Sequence, residues 1–274
     1  MSASMRSTIL FLLIMAFYCK AKVTEKSASE YFRKQLTSKG ISFERIDANG
    51  NYIVKHAGTE YTVSLENAST NAVRDNSLSH IDTLVASIPV TQIDFQDFEK
   101  IKHQIFPSYE SNEVITGAAV TDVFSEKALL RYVIFQENNL VYIDQDHLKQ
   151  WSLSLPKLKN QAFVNLEKEF DRSEIEVSDI DGRKLYHINT SFPLKSTFLG
   201  TKKFYSKMSV KLGSDILAVM PVRDFCYFFS NADKEFFLAR IGQTVQKEYA
   251  ESGYKISKEL FQINSSGIKP IGTF

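Results

Sequence analysis

The chain of 274 residues has little cysteine, with 2, and a single tryptophan. So few thiols exclude a disulfide-stapled scaffold, and a chain of this length with 43% hydrophobic content can bury a core without one. The named catalytic patterns are missing as well. There is no G-x-S-x-G elbow, Walker loop, G-x-G-x-x-G after a strand, or paired C-x-x-C. His56, His80, His103 and His187 are scattered without H-x-x-x-H or H-E-x-x-H spacing, so neither a metal nor a cofactor is expected. Charge of one sign is also absent in excess. Lys+Arg number 33 and Asp+Glu 32, and without Arg6 the two signs balance at 32 each. A nucleic-acid binder carries a clear basic surplus, so none is expected as a partner. No fixed-period repeat or low-complexity stretch appears.

What is present begins at the N-terminus. Arg6 precedes an unbroken apolar run over residues 9–18, followed by Cys19, Lys20 and Lys22. A positive start and a short apolar core predict a secretory signal. A membrane-spanning helix needs about 20 apolar residues, which this run lacks. Cys19 stands where a bacterial lipoprotein carries its acylated cysteine, although Phe17 and Tyr18 are bulkier than the small residues of a typical lipobox. Cleavage after Ala21 is the alternative. The expectation is an exported protein, periplasmic or tethered to the membrane through Cys19. Cys226 then remains alone inside a strand-like run over residues 224–229, which reads as a buried thiol.

Along the rest of the chain, helical and strand signals alternate. Ser27 and Glu30 form an S-x-x-E capping box before Phe32 and Leu36, and Gly40 stops the helix. A hairpin around Asn49-Gly50 and a strand at residues 61–63 follow. Val73, Ser77, Ile81, Leu84, Val85 and Ile88 trace one helical stripe. Residues 109–119 read as a loop, and residues 129–135 and 140–143 as paired strands. Asp146 is placed to cap a short helix with Leu148 and Trp151. A helix over 155–170, a hairpin turning at Asp181-Gly182, a helix over 194–211, strands at 216–220 and 225–229, a helix over 234–251 and a closing hairpin complete the chain. Tight turns outnumber crossovers. This predicts an α+β fold of antiparallel sheets with packed helices, and no doubly wound nucleotide fold. Residues 1–19 form the signal and 24–274 one body, in which residues 89–94 are able to join subdomains 24–90 and 95–274.

Residues 105–109 (Ile-Phe-Pro-Ser-Tyr), the run from Tyr142 through Asp144 and Leu148 to Trp151, Asn165-Leu166, and residues 216–225 with Pro221 and Asp224 resemble the YtpQ-like family of bacterial proteins. The resemblance spans nearly all of the chain after the signal and implies related folds. It rests on core aromatics and turn residues and implies no reaction.

Three polar groupings are candidate sites. Asp144, Asp146 and His147 lie between a strand and a helix, where two carboxylates beside an imidazole can move protons or bind a ligand; the structural alternative is a turn and a helix cap. Arg223 and Asp224 follow Pro221 between two apolar strands, where they either line a cleft or close a turn. Lys203, Lys207 and Lys211 recur every fourth residue on one helix face, in a stretch from Gly182 to Ser214 with no acidic residue. That face is either solvated or suited to an anionic lipid or envelope polymer. The expected function is that of a non-catalytic, envelope-associated binding or interaction protein. The alternative is a cofactor-free hydrolase acting on an envelope substrate through its carboxylates.

Overall fold

A computed structural model of the chain describes residues 22–47, 50–56, 59–88, 97–113, 119–136 and 139–274. The N-terminal segment expected to be a signal, Cys19 included, lies outside the described residues, as do the residues 89–94 expected to join subdomains. The fold is α+β with antiparallel sheets. It divides into two units, Met1–Val85 and Ala86–Phe274.

The first unit opens with α1 (Glu25–Ser38). Its capping box lies three residues earlier than the sequence pattern suggests. Thr24 Oγ1 accepts from the Ser27 amide and Ser27 Oγ accepts from the Thr24 amide, at 3.1 and 2.8 Å. Serine can complete the box in place of glutamate because its hydroxyl reaches back to the same amide. Ala28, Phe32 and Leu36, four apart, form the buried face. The helix ends in a Schellman motif at Gly40 (φ +69°), with Ile41 N–H donating to Leu36 C=O at 3.0 Å. Strands β1 (Ser42–Ile46), β2 (Tyr52–His56) and β3 (Thr59–Val63) follow in sheet order β1-β2-β3. The Phe32 ring meets Tyr52 edge-on at 5.0 Å.

The single helical stripe expected over residues 73–88 is broken into α2 (Glu66–Arg74) and α3 (Ser79–Ser87). The break is a second Schellman motif. Asn76 takes the left-handed conformation (φ +49°) and Ser77 N–H donates to Ala72 C=O at 3.0 Å. Asparagine fills the position normally held by glycine, and its Oδ1 accepts from Val23 N–H at 2.7 Å.

The second unit is built on two sheets. The short helix α4 (Phe98–Ile101) leads into β4 (Ile105–Ser111). Every residue of β4 is buried, and it pairs along its whole length with β6 (Ala128–Gln136). Residues 109–111 therefore belong to a strand rather than to the expected loop. Ser108, Glu110 and Ser111 hide the strand from a hydrophobicity reading, because polar side chains inside a sheet break its apolar pattern. On the other edge of β6 lie β5 (Thr121–Val123) and β7 (Asn139–Tyr142). Helices α5 (Gln145–Gln150) and α6 (Leu155–Phe170) follow. Buried Asn165 of α6 donates to Lys102 C=O and Ile105 C=O at 2.6 and 2.8 Å, which pins the start of β4 to the helix.

The second sheet has the order β13-β12-β10-β11-β9-β8. Its strands are β8 (Glu174–Ile180), β9 (Arg183–Asn189), β10 (Ile216–Val222), β11 (Phe225–Ser230), β12 (Glu259–Asn264) and β13 (Gly267–Thr273). The helix expected over 194–211 is a 3-10 turn (Lys195–Gly200) followed by α7 (Lys202–Leu212). Thr201 interrupts the two by accepting from Phe204 N–H at 3.1 Å as the N-cap. Helix α8 (Lys234–Glu251) covers one face of the sheet.

Strand periodicity sorts the core. Leu217 and Val219 of β10 pack with Phe229 against Phe237, Ile241 and Val245 of α8. The alternate residues Ile216, Ala218 and Met220 face a larger core with Leu158, Leu166 and Phe170 of α6, Phe204 and Met208 of α7, and Ile105 and Ile134 of the other sheet. Each large apolar side chain buried in this way contributes roughly 1.5–3 kcal/mol. Among the described residues, no helix is long and apolar enough to cross a membrane.

Candidate functional site

Three backbone hydrogen bonds bring the ends of the two sheets together. Ser111 N–H at the end of β4 donates to Lys255 C=O at 3.0 Å, and Arg223 N–H donates to Tyr254 C=O at 3.0 Å. Pro221 has no amide hydrogen, yet its carbonyl accepts from Ile256 N–H at 2.8 Å. The segment preceding β12 thus stitches the β10–β11 hairpin to β4.

At this seam lies a buried polar cluster. Ser108 and Glu110 share one face of β4, since residues two apart in a strand point the same way. Ser108 pairs with Arg131 on β6, and Tyr142 of β7 pairs with Val133, so Arg131 and Tyr142 stand on that face too. Glu110 Oε1 accepts from Ser108 Oγ at 2.6 Å and from Tyr142 Oη at 3.1 Å. Arg223 Nη1 reaches the same oxygen at 3.5 Å from the β10–β11 turn. The Arg131 guanidinium lies 5.8 Å from the centre of the Tyr142 ring. Tyr254 lies over Arg223, with 4.0 Å between its ring centre and the guanidinium carbon.

Glu110, Arg131 and Arg223 are exposed by only 3%, 4% and 8%. Burial opposes the charge on Arg223, but Glu110, Tyr142, Tyr254 and Asp224 outweigh it, so its pKa moves upward. Burial, then Glu110, pushes the Tyr142 phenol up as well. Arg223 therefore stays charged, and the Tyr142 phenol stays protonated as a donor, at neutral pH.

No family model, curated protein or solved structure matches the chain.

The other candidates from the sequence fall elsewhere. Asp144, not Asp146, caps α5. Its Oδ1 accepts from the amides of Asp146 and His147 at 3.0 and 2.9 Å, and His147 Nδ1 faces the Asp144 amide at 3.2 Å. The cap moves two residues upstream because Asp144 has the extended backbone that a cap requires, whereas Asp146 is already helical. Asp146 is exposed and pairs with Lys149 at 2.8 Å, whose ammonium holds the carboxyl below its ordinary range. These three residues share no hydrogen bond or ion pair with Arg223 or Asp224 among the described residues. Asp224 is exposed on the hairpin turn beside buried Arg223. Lys203 pairs with Asp171 at 2.5 Å, Lys207 lies 5.3 Å from the Phe170 ring centre, and Lys211 is exposed near the end of α7. Cys226 is buried, and that burial pushes its thiol up to about 12. Among the described residues, no group of three His, Cys, Asp or Glu side chains could hold a metal ion.

Sequence reading singled out Arg223 but missed Glu110, Ser108, Arg131, Tyr142 and Tyr254 as its surroundings. One signal was available. Arg131 is the only charge in the apolar run from Leu129 to Phe135, and a charge inside a buried strand requires a partner.

Proposed function

We propose that the chain is an exported, envelope-associated binding protein rather than an enzyme, tethered through Cys19 and allied to the YtpQ-like family. One observation carries the non-catalytic reading. The carboxylate–imidazole group at the strand–helix junction is committed to a helix cap, with Asp144 Oδ1 accepting two backbone amides and His147 closing the box. A carboxylate held by its own helix is a poor mobile base. The charged centre of the second unit is buried between strands, which suits holding a group in place better than transferring protons to substrate. The apolar run at residues 9–18 behind Arg6 supports export.

Fractionation of cells producing the full chain, followed by intact-mass measurement, tests the reading. The expected result is recovery with the envelope at a mass carrying acyl chains. A chain found in the cytoplasm at full unprocessed mass would overturn it. For the catalytic half, Asp144→Asn and His147→Ala should leave any envelope phenotype unchanged while lowering helix stability. Loss of that phenotype in well-folded variants would favour the hydrolase.

A further inference from the structure

A cleft of about 440 Å³ in the second unit is lined by Phe98, Leu153, Pro156, Lys157, Asn160 and Gln161. That volume lies toward the low end of the roughly 300–1,000 Å³ typical of small-molecule sites. Its two kinds of lining group are segregated. Phe98, Leu153 and Pro156 supply an apolar wall. Lys157, Asn160 and Gln161, spaced i, i+3 and i+4, stand together on one face of α6.

The apolar wall is held from behind. Asp97 Oδ1 accepts from Glu99 N–H at 3.0 Å as the cap of α4, which fixes the turn that carries Phe98. The Phe98 ring lies 5.6 Å from that of Trp151, and Leu153 N–H donates to Leu148 C=O at 3.0 Å. Phe98, Trp151 and Leu153 all pack, partly buried, against the larger core. A wall fixed in advance loses little freedom when a ligand is laid on it.

On the polar side, Gln161 Nε2 donates to Asn165 Oδ1 at 2.9 Å, which ties that amide to the link between α6 and β4. The side chains of Lys157 and Asn160 are exposed and have no hydrogen-bond or ion-pair partner among the described residues. Lys157 is the one charge among the lining residues. So few polar groups beside an apolar wall do not suit a sugar, whose buried hydroxyls each need a partner. The positive sign of Lys157 selects an anionic head over a cationic one.

We propose that this cleft binds a free fatty carboxylate, its aliphatic chain against Phe98, Leu153 and Pro156 and its carboxylate on the Lys157 ammonium and the Asn160 amide. The proposal deepens the binding reading above by naming a ligand class and rests on that reading for the existence of a ligand.

The chain has a single tryptophan, so Trp151 emission reports on the neighbouring cleft. The titrations use the full chain carrying Cys19→Ser, so that no attached acyl chain competes. The probes are sodium octanoate, 1-octanol, octylammonium chloride and sodium acetate. Backbone 15N–H shifts of Lys157 and Gln161 are followed alongside the emission, so binding that leaves the indole unmoved is still seen. Octanoate should give a saturable change with a midpoint about tenfold lower than that of octanol. Acetate, which lacks the chain, and octylammonium, which carries the wrong sign, should give none.

Lys157→Gln should abolish the advantage of octanoate over octanol. Asn160→Asp, which sets a like charge beside the carboxylate, should weaken octanoate about tenfold and leave octanol unchanged. Both residues are exposed, so neither change disturbs the fold. Absence of a saturable octanoate change in both signals overturns the proposal. So do equal midpoints for octanoate and octanol or octylammonium, and a preference for octanoate that survives Lys157→Gln. A cytoplasmic location would leave these titrations unaffected, and a failed titration would leave the fractionation result unaffected, so the two failures are distinguishable.

Discussion

The hydroxyl of Tyr109 occupies space that only a glycine at residue 200 leaves open: a β-carbon on Gly200 would sit 2.2 Å from that oxygen and 3.3 Å from the ring carbon bearing it. The contact joins β4 to the 3-10 turn before α7, across 91 residues of chain. Tyr109 and its neighbour Glu110 point to opposite faces of β4, so this packing fixes the strand that carries the carboxylate of the buried cluster. Gly200→Ala should lower stability by about 1–3 kcal/mol, because a buried phenol cannot move aside at low cost. Adding Tyr109→Phe removes the 2.2 Å clash but leaves the ring, so it should restore part of the loss. Urea unfolding of the four members of this double-mutant cycle checks it, and additive effects would contradict the contact.

Glu110 and Arg223 should behave as a coupled pair. Glu110→Gln and Arg223→Met each leave a buried charge without its counterion, and each should cost about 3–5 kcal/mol. The double variant should cost clearly less than the sum. Denaturant midpoints at constant m-value measure this, and simple additivity would show that the 3.5 Å contact contributes no coupling.

Asp144 should matter through its helix. Asp144→Ala removes the acceptor for two amides of α5 and should cost about 1 kcal/mol. Asp144→Asn keeps a capping oxygen and should cost less. Asp146→Ala, which loses only an exposed pair with Lys149, should be close to neutral. Thermal unfolding of the three variants tests the ranking.

Cys226 should be silent to thiol reagents in the folded chain. With Cys19→Ser, so that Cys226 is the only thiol, labelling at pH 8 should be slower than in denaturant by on the order of a thousandfold, since the buried thiol stays protonated. The same shift carries a pH dependence. Burial raises the folded value to about 12 from its ordinary 9.0, so the folded state retains a proton that the unfolded state releases. The resulting stability is fully present below about 9 and is lost as pH rises toward 12. Cys226→Ala should flatten that alkaline decline, and an unchanged slope would contradict it.

Much of the architecture was legible in the sequence because local signals and tertiary packing agree there. Gly40 and Gly213 end helices at positive φ, Asp181-Gly182 turns a hairpin with both residues at positive φ, and residues 216–220 and 225–229 pair as their apolar runs suggest. Errors arose where polar residues serve structure. Asn76 ends a helix in place of glycine, Thr201 splits another, and Ser108 and Glu110 lie in a strand whose every residue is buried.

By itself, the sequence determined the α+β class, the antiparallel hairpins and the burial of Cys226, because these follow from periodicity and turn chemistry. Only the tertiary structure decided which charges meet. Glu110, Arg131 and Arg223 converge because a strand, its neighbour and a distant hairpin are joined through residues 254–256, and no local pattern encodes a pairing across 113 residues. It likewise decided that Asp144 serves its helix, since which of two nearby carboxylates caps depends on which has the extended backbone.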